Sequence, residues 1–332
     1  MKILVTGGLG YIGSHTVVEL INNNYEVVII DNLSNSELFI LDNIEKITGV
    51  RPIFYNQDLL DFIKTNQIFK KEKIKGIIHF AAFKSVPESI KKPLLYYKNN
   101  LLSLINVLNS MEENSISNIV FSSSCCVYGQ PEKLPVSENT PFKKADSPYA
   151  ESKQISEKII KDFSNTHNNI SSVSLRYFNP VGAHESALIG ELPKGVPDNL
   201  VPYITQTAAG IREGLSVFGK DYNTHDGTAI RDYIHVEDLA KAHLKAFNFL
   251  NDSEDKNIYE FFNVGTGIGY SVLDVINSFE NVNNLKLNYS FQDRRDGDIE
   301  KIYSDVIKSK KILKWESEKS LDDMMSSAWK WQ

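Results

Sequence analysis

The chain opens with a short apolar run, KILVT, that passes straight into TGGLGYIGSH. The run has strand length, and an amphipathic stretch starts at Tyr11, so strand and helix are joined by nothing but a glycine-rich turn. Gly7, Gly10 and Gly13 fall in a G-x-x-G-x-x-G spacing. Glycines there allow a tight turn, a close approach of backbone N–H groups to a pyrophosphate, and packing of the helix on the strand. The helix N-terminus adds an attraction for negative charge. Few folds accept such a junction so early, and it points to a dinucleotide site.

The alternation continues through EVVII, a helix over 37–48, PIFY, a helix over 61–71, GIIHFAA, a long helical stretch over 86–114, and NIVFSSS. A helix beginning near Tyr149 and the run SSVSLRYF complete it. Strands separated by helices predict a parallel sheet with right-handed crossovers. The expected fold is therefore α/β, a Rossmann-type doubly wound parallel sheet followed by a smaller α/β C-terminal substrate domain. After Asn179 the sequence turns rich in Gly, Pro, Asn and Asp and loses its periodicity. This predicts a dinucleotide-binding domain over 1–179 and a mainly substrate-binding domain over 180–332, with segments near 232–265 returning to the first.

With 332 residues, 42% hydrophobic and 23% charged, the chain has ordinary globular composition. A net charge of -6 offers no general attraction for nucleic acid. No run approaches the length of a membrane span, and the opening lacks the pattern of a secretion signal. The two cysteines, Cys125 and Cys126, are adjacent and cannot close a loop between distant parts of the chain. These features predict a cytoplasmic protein without nucleic-acid or membrane partners. The seven histidines are scattered, so no metal site is expected, and His79 and His235 read as structural.

Asp31 ends the second strand 18 residues after Gly13, where a carboxylate can accept a hydrogen bond from the adenosine ribose. The same carboxylate would repel the 2'-phosphate of NADP, so NAD is the expected cofactor. Asp58, at the end of the third strand, occupies a similar edge position.

Residues 147–153 read SPYAESK. Ser147 suits an N-cap and Pro148 the first helical position, which places Tyr149 and Lys153 one turn apart on one face. Ser124 closes the preceding strand at the carboxyl edge, where ligands bind in such sheets. A tyrosine of ordinary pKa has about one phenolate in a thousand at neutral pH, and making it a base needs about 4 kcal/mol. A cation about 4 Å away supplies roughly that at an effective dielectric near 20, before desolvation is subtracted.

These residues resemble the extended short-chain dehydrogenase/reductase family. RYFNPVGAH, DNLVPY, DGTAIRDYIHVEDLA and RRDGD are similar, more closely, to the UDP-glucose 4-epimerase family, along the whole chain. The resemblance implies reversible epimerisation at carbon 4 of UDP-galactose and UDP-glucose through a 4-keto sugar, in carbohydrate and galactose metabolism. Ser124, Tyr149 and Lys153 would be catalytic. NAD contacts would come from Gly7, Gly10, Tyr11, Ile12, Gly13, Asp31, Asn32, Asp58, Leu59, Phe80, Ala81, Lys84, Asn99, Ser122, Tyr149, Lys153, Tyr177 and Phe178. The UDP-hexose would meet Ser124, Tyr149, Asn179, Asn199, Phe218, Arg231, Tyr233, Arg295, Asp298 and Ile302. A homodimer formed through the long helix and the Tyr149 helix is also implied. Ile302 falls at a position where the family controls space beside the sugar 2-substituent, and a side chain smaller than tyrosine there implies access for N-acetylated sugars.

Arg231 has an ordinary alternative role, pairing with Asp226 or Asp232. Three other activities are compatible with the fold and cofactor: another NAD-dependent UDP-sugar epimerase, a sugar-nucleotide dehydratase, and a non-enzymatic NAD-binding regulator. The dehydratases place a carboxylate pair after the strand-end Ser or Thr, where this chain has Cys125 and Cys126. A regulator would be expected to lose Tyr149 or Lys153.

Overall fold

The structure is a computed structural model that describes residues 1–295 and 298–332. Its first part alternates β1 (Lys2–Thr6), α1 (Tyr11–Asn22), β2 (Glu26–Asp31), α2 (Phe39–Thr48), β3 (Ile53–Asn56), α3 (Phe62–Glu72) and β4 (Gly76–His79). Then come α4 (Val86–Lys91), α5 (Pro93–Glu113), β5 (Asn118–Ser124), α6 (Pro148–Thr166) and β6 (Ser171–Tyr177). The rest contains β7 (Asn179–Val181), α7 (Leu200–Ala208), β8 (Leu215–Phe218), β9 (Ile230–Arg231), β10 (Tyr233–His235), α8 (Val236–Asp252) and β11 (Tyr259–Val264). It ends with β12 (Tyr270–Ser271), α9 (Val272–Asn283), β13 (Tyr289–Gln292), β14 (Lys301–Ile302) and α10 (Leu321–Trp331).

Seven strands form one parallel sheet in the order β11-β6-β5-β4-β1-β2-β3. The chain direction across the sheet reverses between β1 and β4, which opens a crevice at their carboxyl ends. Side-chain alternation explains the layers. Ile3 and Val5 face α1, α2 and α8, whereas Leu4 faces α3, α5 and α6, and all three are fully buried. A strand buried on both faces reads as an unbroken apolar run, as KILVT does. β11 lies in this sheet beside β6, and α8 packs on α1.

The 86–114 stretch, expected as one helix, is two. Pro93 lacks the N–H that would continue the ladder and disfavours helical geometry at Lys92, which sits at φ -132°, ψ 57°. The break turns α5 onto α3 and α6.

The C-terminal elements surround a second core containing Val201, Ile204, Ile276, Phe279, Met324 and Met325. Three small sheets, β7 with β10, β8 with β13, and β9 between β12 and β14, carry its side of the crevice.

Behind the crevice, Arg176 on β6 forms a bidentate pair with Glu157 on α6. Nε lies 2.9 Å from Oε1 and Nη2 2.6 Å from Oε2. The side chains are 4% and 2% exposed. Ser123 donates to the same carboxylate at 2.5 Å, and the guanidinium reaches Tyr128 at 3.0 Å. Arg176→Met would leave Glu157 charged and unpaired in the core. We predict a loss of about 3–5 kcal/mol in urea unfolding, the range for breaking a buried pair from one side. A loss below about 1 kcal/mol would mean that Ser123 alone satisfies the carboxylate.

Candidate active site

The glycine turn is shaped by space as well as by conformation. Gly7 has φ +68°, and a Cβ on it would stand 2.9 Å from the Ala81 amide nitrogen. A Cβ on Gly13 would lie 2.2 Å from the Gly7 carbonyl oxygen. Gly10, at the N-cap of α1, has no side chain to cap the helix, so the amides at Tyr11, Ile12 and Gly13 keep their donor capacity for an anion. Asp31, 8% exposed, accepts from the Leu9 amide at 3.1 Å, the Leu33 amide at 2.9 Å and the Ser36 hydroxyl at 2.8 Å. Three donors orient its side chain toward the turn and leave acceptor capacity for a ribose hydroxyl. Asn32 donates to Asp58 at 3.3 Å, joining the ends of β2 and β3, and Leu59 is buried behind them. The cradle therefore fits a dinucleotide such as NAD.

Across the crevice, Phe80 and Ala81 follow β4. Asn99 donates to Asn100, whose side chain braces Phe83 on both its N–H and its carbonyl. Lys84 leaves this loop toward the second part and pairs with Glu191 at 2.9 Å. Ser122 and Tyr177 touch through their hydroxyls, and Phe178 is buried with its N–H donated to Val264.

α6 starts as its sequence prescribes. Ser147 accepts the Ala150 N–H at 3.2 Å and Pro148 opens the helix. Lys153 is 4% exposed, donates to the Ser122 carbonyl at 2.6 Å, and lies 4.8 Å from the Phe121 ring and 5.9 Å from the Tyr149 ring centroid. Ser124 ends β5 and caps the short helical turn 125–128 by accepting the Cys126 N–H at 3.3 Å. Strand end and helix start thus meet at the carboxyl edge of the sheet, on the side of β4 away from the glycine turn.

Burial lowers the Lys153 pKa to about 8, against opposing pulls from Cys126 and Glu157. Burial also raises Tyr149 well above its ordinary value, helped by Cys126 and Tyr177, while a hydrogen bond from Ser124 works the other way. Among the protein's own groups, desolvation is the largest influence on Tyr149, in the direction that opposes the expected pull of Lys153. The Cys125 and Cys126 thiols are pushed up to about 12 and about 11, chiefly by burial, and stay protonated at neutral pH.

The other candidates line the facing wall. Asn179 on β7 donates its amide to the Asp232 carbonyl at 2.9 Å. Asn199 stands at the N-terminus of α7 and donates to Glu191 at 2.8 Å. The Arg295 guanidinium stacks 3.8 Å from the Phe218 ring centroid. Arg231 pairs with Asp298 at 2.5 Å rather than with Asp226 or Asp232. Tyr233 is buried on β10. Ile302 sits opposite Arg231 in the β9–β14 register and is buried among Val127, Tyr128, Val136 and Phe178, with Cys125 alongside. Within RRDGD, Asp296 and Gly297 lie outside the described residues.

His79 bonds Thr6 at 2.7 Å and is held neutral, its pKa lowered to about 3 by burial and by Lys153. His235 accepts the Glu237 N–H at 3.1 Å as the cap of α8. His225, Asp226 and Asp274 approach one another, yet Asp226 already accepts from Thr228 and Ser271, and Asp274 closes the capping box of α9.

One residue that sequence reading passed over is Asp232. It is fully buried, and five donors converge on its carboxylate: the N–H and hydroxyl of Thr266, the N–H of Gly267, and the N–H and hydroxyl of Ser304. It ties the β9–β10 junction to the segments that follow β11 and β14. Its partners lie 34 to 72 positions away, so no local spacing marks it.

A Rossmann sheet with this glycine turn, strand-end serine and Tyr-x-x-x-Lys helix has the arrangement of an extended short-chain dehydrogenase/reductase. The family model described as GDP-mannose 4,6 dehydratase matches residues 4–328. The chain is 49% identical to the UDP-glucose 4-epimerase of Pasteurella multocida, over 100% of this chain and 97% of that one. Among solved structures, the UDP-glucose 4-epimerase of Stenotrophomonas maltophila with bound NAD and formylated UDP-arabinopyranose superposes with a TM-score of 0.97 at 44% identity, covering 100% of this chain and 97% of that one. That of Bifidobacterium longum, in complex with NAD+ and UDP, gives 0.95 at 44% identity, covering 100% and 98%. The chain belongs to the UDP-glucose 4-epimerase family.

The depressed Lys153 pKa has a consequence for stability. Between about pH 8 and 10.5 the unfolded chain binds more protons at this lysine than the folded one, so stability rises with pH there; below about pH 8 the full cost of burying the cation is present. Urea midpoints of wild type and Lys153→Met, compared across that window, should shift in the wild type's favour as pH rises. A constant difference would contradict the burial argument.

Proposed function

We propose that the protein interconverts UDP-galactose and UDP-glucose by epimerisation at carbon 4, with NAD held throughout the cycle. The observation that supports this is the grouping of Ser124, Tyr149 and Lys153 at the carboxyl edge of the sheet that carries the glycine cradle, in a chain of this family.

When bound, NAD supplies a hydride acceptor that later returns the hydride. The chain's own groups do the rest. Tyr149 Oη takes the proton of the sugar 4-hydroxyl and gives it back after the sugar has presented its other face. Ser124 hydrogen-bonds the same oxygen. Lys153 holds a ribose hydroxyl and keeps a positive charge beside the phenol, which the burial of Tyr149 makes necessary. Arg231 and Arg295 grip the diphosphate, since a guanidinium fork matches phosphate oxygens. Anchoring at the UDP end leaves the hexose free to turn. Asn179, Asn199, Phe218, Tyr233 and Asp298 complete that subsite.

Dehydration, which the name of the matching family model suggests, needs an additional acid and base. The positions after Ser124 carry Cys125 and Cys126, whose pKa values leave neither thiol able to serve as a base at neutral pH. A purely regulatory NAD-binding role is disfavoured because Tyr149 and Lys153 are both retained, one turn apart on α6.

Residues 1–179, joined by α8 and β11, form the cofactor-binding part, and the remainder binds the UDP-sugar. The exposed stripe Leu94, Leu95, Leu102 and Ile105 on α5 suits a homodimer through α5 and α6. Two free, adjacent cysteines suit the cytoplasm. No helix among the described residues is long and apolar enough to cross a membrane.

Tyr149→Phe should retain NAD while turnover drops at least ~100-fold, the lower range for a positioned acid or base. Near-normal turnover would remove Tyr149 from the chemistry. The setting of Ile302, walled by aliphatic and aromatic side chains with no hydroxyl in that position, suits a sugar bearing an N-acetyl group as well as the plain sugar. Ile302→Tyr should lower the ratio of UDP-N-acetylglucosamine to UDP-glucose turnover by at least ~10-fold, as expected for lost space in a fitted pocket. An unchanged ratio would show that this position does not set the sugar range.

A further inference from the structure

Residues 183–199 cross from β7 to α7 as a strap over the crevice, fastened to the first part of the chain at several points. Asn43 donates to the Leu188 carbonyl at 2.7 Å, Lys194 reaches the Ser34 carbonyl at 3.2 Å, and the Ser85 hydroxyl donates to Asp198 at 2.7 Å. At the centre stands Glu191. One oxygen of its carboxylate accepts from both Lys84 Nζ at 2.9 Å and Asn199 Nδ2 at 2.8 Å. Its side chain is 11% exposed, and its backbone carbonyl accepts the Trp331 indole N–H at 2.9 Å. The Glu191 main chain is therefore held by Trp331, and its carboxylate is shared by Lys84 and Asn199.

We propose that Glu191 is a positioning residue that couples the dinucleotide subsite to the UDP-sugar subsite. The inference rests on the functional reading above, in which Lys84 serves the cofactor and Asn199 the uridine nucleotide. Two donors on one acceptor oxygen cannot move independently: a displacement of Lys84 changes the position and the electron density offered to Asn199, and the reverse holds equally. Both contacts converge on the same oxygen of a carboxylate side chain that is itself only 11% exposed, with Lys84 half exposed in front of it. Coupling between two binding sites is reciprocal, so a change on the cofactor side should be legible as a change in UDP affinity. The other strap contacts tie main chain or join residues that serve neither ligand. Glu191 alone, among the described strap residues, bonds a candidate from each side.

The test is a double-mutant cycle read by calorimetric titration of UDP into the purified holoenzyme. Lys84→Met and Glu191→Gln should each weaken UDP binding at least ~3-fold, and the double variant should be no weaker than the poorer single one. Ser85→Ala, which cuts the strap elsewhere, should stay within about twofold of wild type. Glu191→Asp, which keeps the charge and shortens the reach, serves in place of Glu191→Gln if that variant does not fold, with the same non-additivity expected. The proposal is overturned if the Lys84 and Glu191 effects multiply, if Glu191→Gln leaves UDP affinity unchanged, or if Ser85→Ala weakens it as much. Absence of UDP binding by the wild-type holoenzyme would instead overturn the functional reading, and this coupling with it.

Discussion

The contact between Glu157 and Arg176 fixes the rotation of α6, and that rotation decides where the reacting groups stand. Tyr149, Lys153 and Glu157 follow one another at four-residue intervals, so they share one face of the helix. With Glu157 clamped to β6 and to Ser123 of β5, the two turns before it can only meet the carboxyl ends of those strands. Lys153 then finds the Ser122 carbonyl, and Tyr149 comes beside Ser124. A buried pair adds little net stability over an apolar substitute, but it penalises every other rotation of the helix, because each would leave a charge unpaired.

The same burial that fixes the geometry raises the chemical difficulty. Tyr149 and Lys153 are both taken out of water, which disfavours the phenolate and the ammonium alike. A base cannot be made here by desolvation. In the proposed mechanism it would come from positive charge: Lys153, whose own pKa of about 8 still leaves it mostly protonated at neutral pH, and the oxidised nicotinamide ring. Proton abstraction would then depend on an occupied cofactor cradle. The facing wall is organised differently. Asp232 gathers five donors without a cation and locks β9–β10, which carries Arg231 and Tyr233, to the segment after Ile302. On the proposed reading, one wall would place the reacting atoms and the other would hold the substrate handle.

Local chemistry made much of this readable in advance. The glycine turn, the Asp31 carboxylate and the Ser147-Pro148 start of α6 are each written in a few adjacent residues, and the strands read directly because a doubly buried strand is an apolar run. Pro93 also stood in plain view, but the amphipathic pattern on either side of it suggested one helix where there are two. What could not be read was set by distance along the chain. The donors to Asp232 arrive from positions 266, 267 and 304, and Glu191 lies in a Gly- and Pro-rich stretch without periodicity. The size of the desolvation at Tyr149 was illegible for a related reason: a lysine four residues away is visible in the sequence, whereas the depth of burial is a property of the whole fold. Glu157 was the residue within reach, since its spacing continues the Tyr149 and Lys153 series.

Proton NMR of the anomeric signals of UDP-galactose, incubated with the purified protein and no added NAD, tests the account as a whole. Conversion to UDP-glucose up to a constant ratio of the two sugars, with the cofactor remaining on the protein, is the predicted result. Unchanged UDP-galactose, both without and with added NAD, would contradict it.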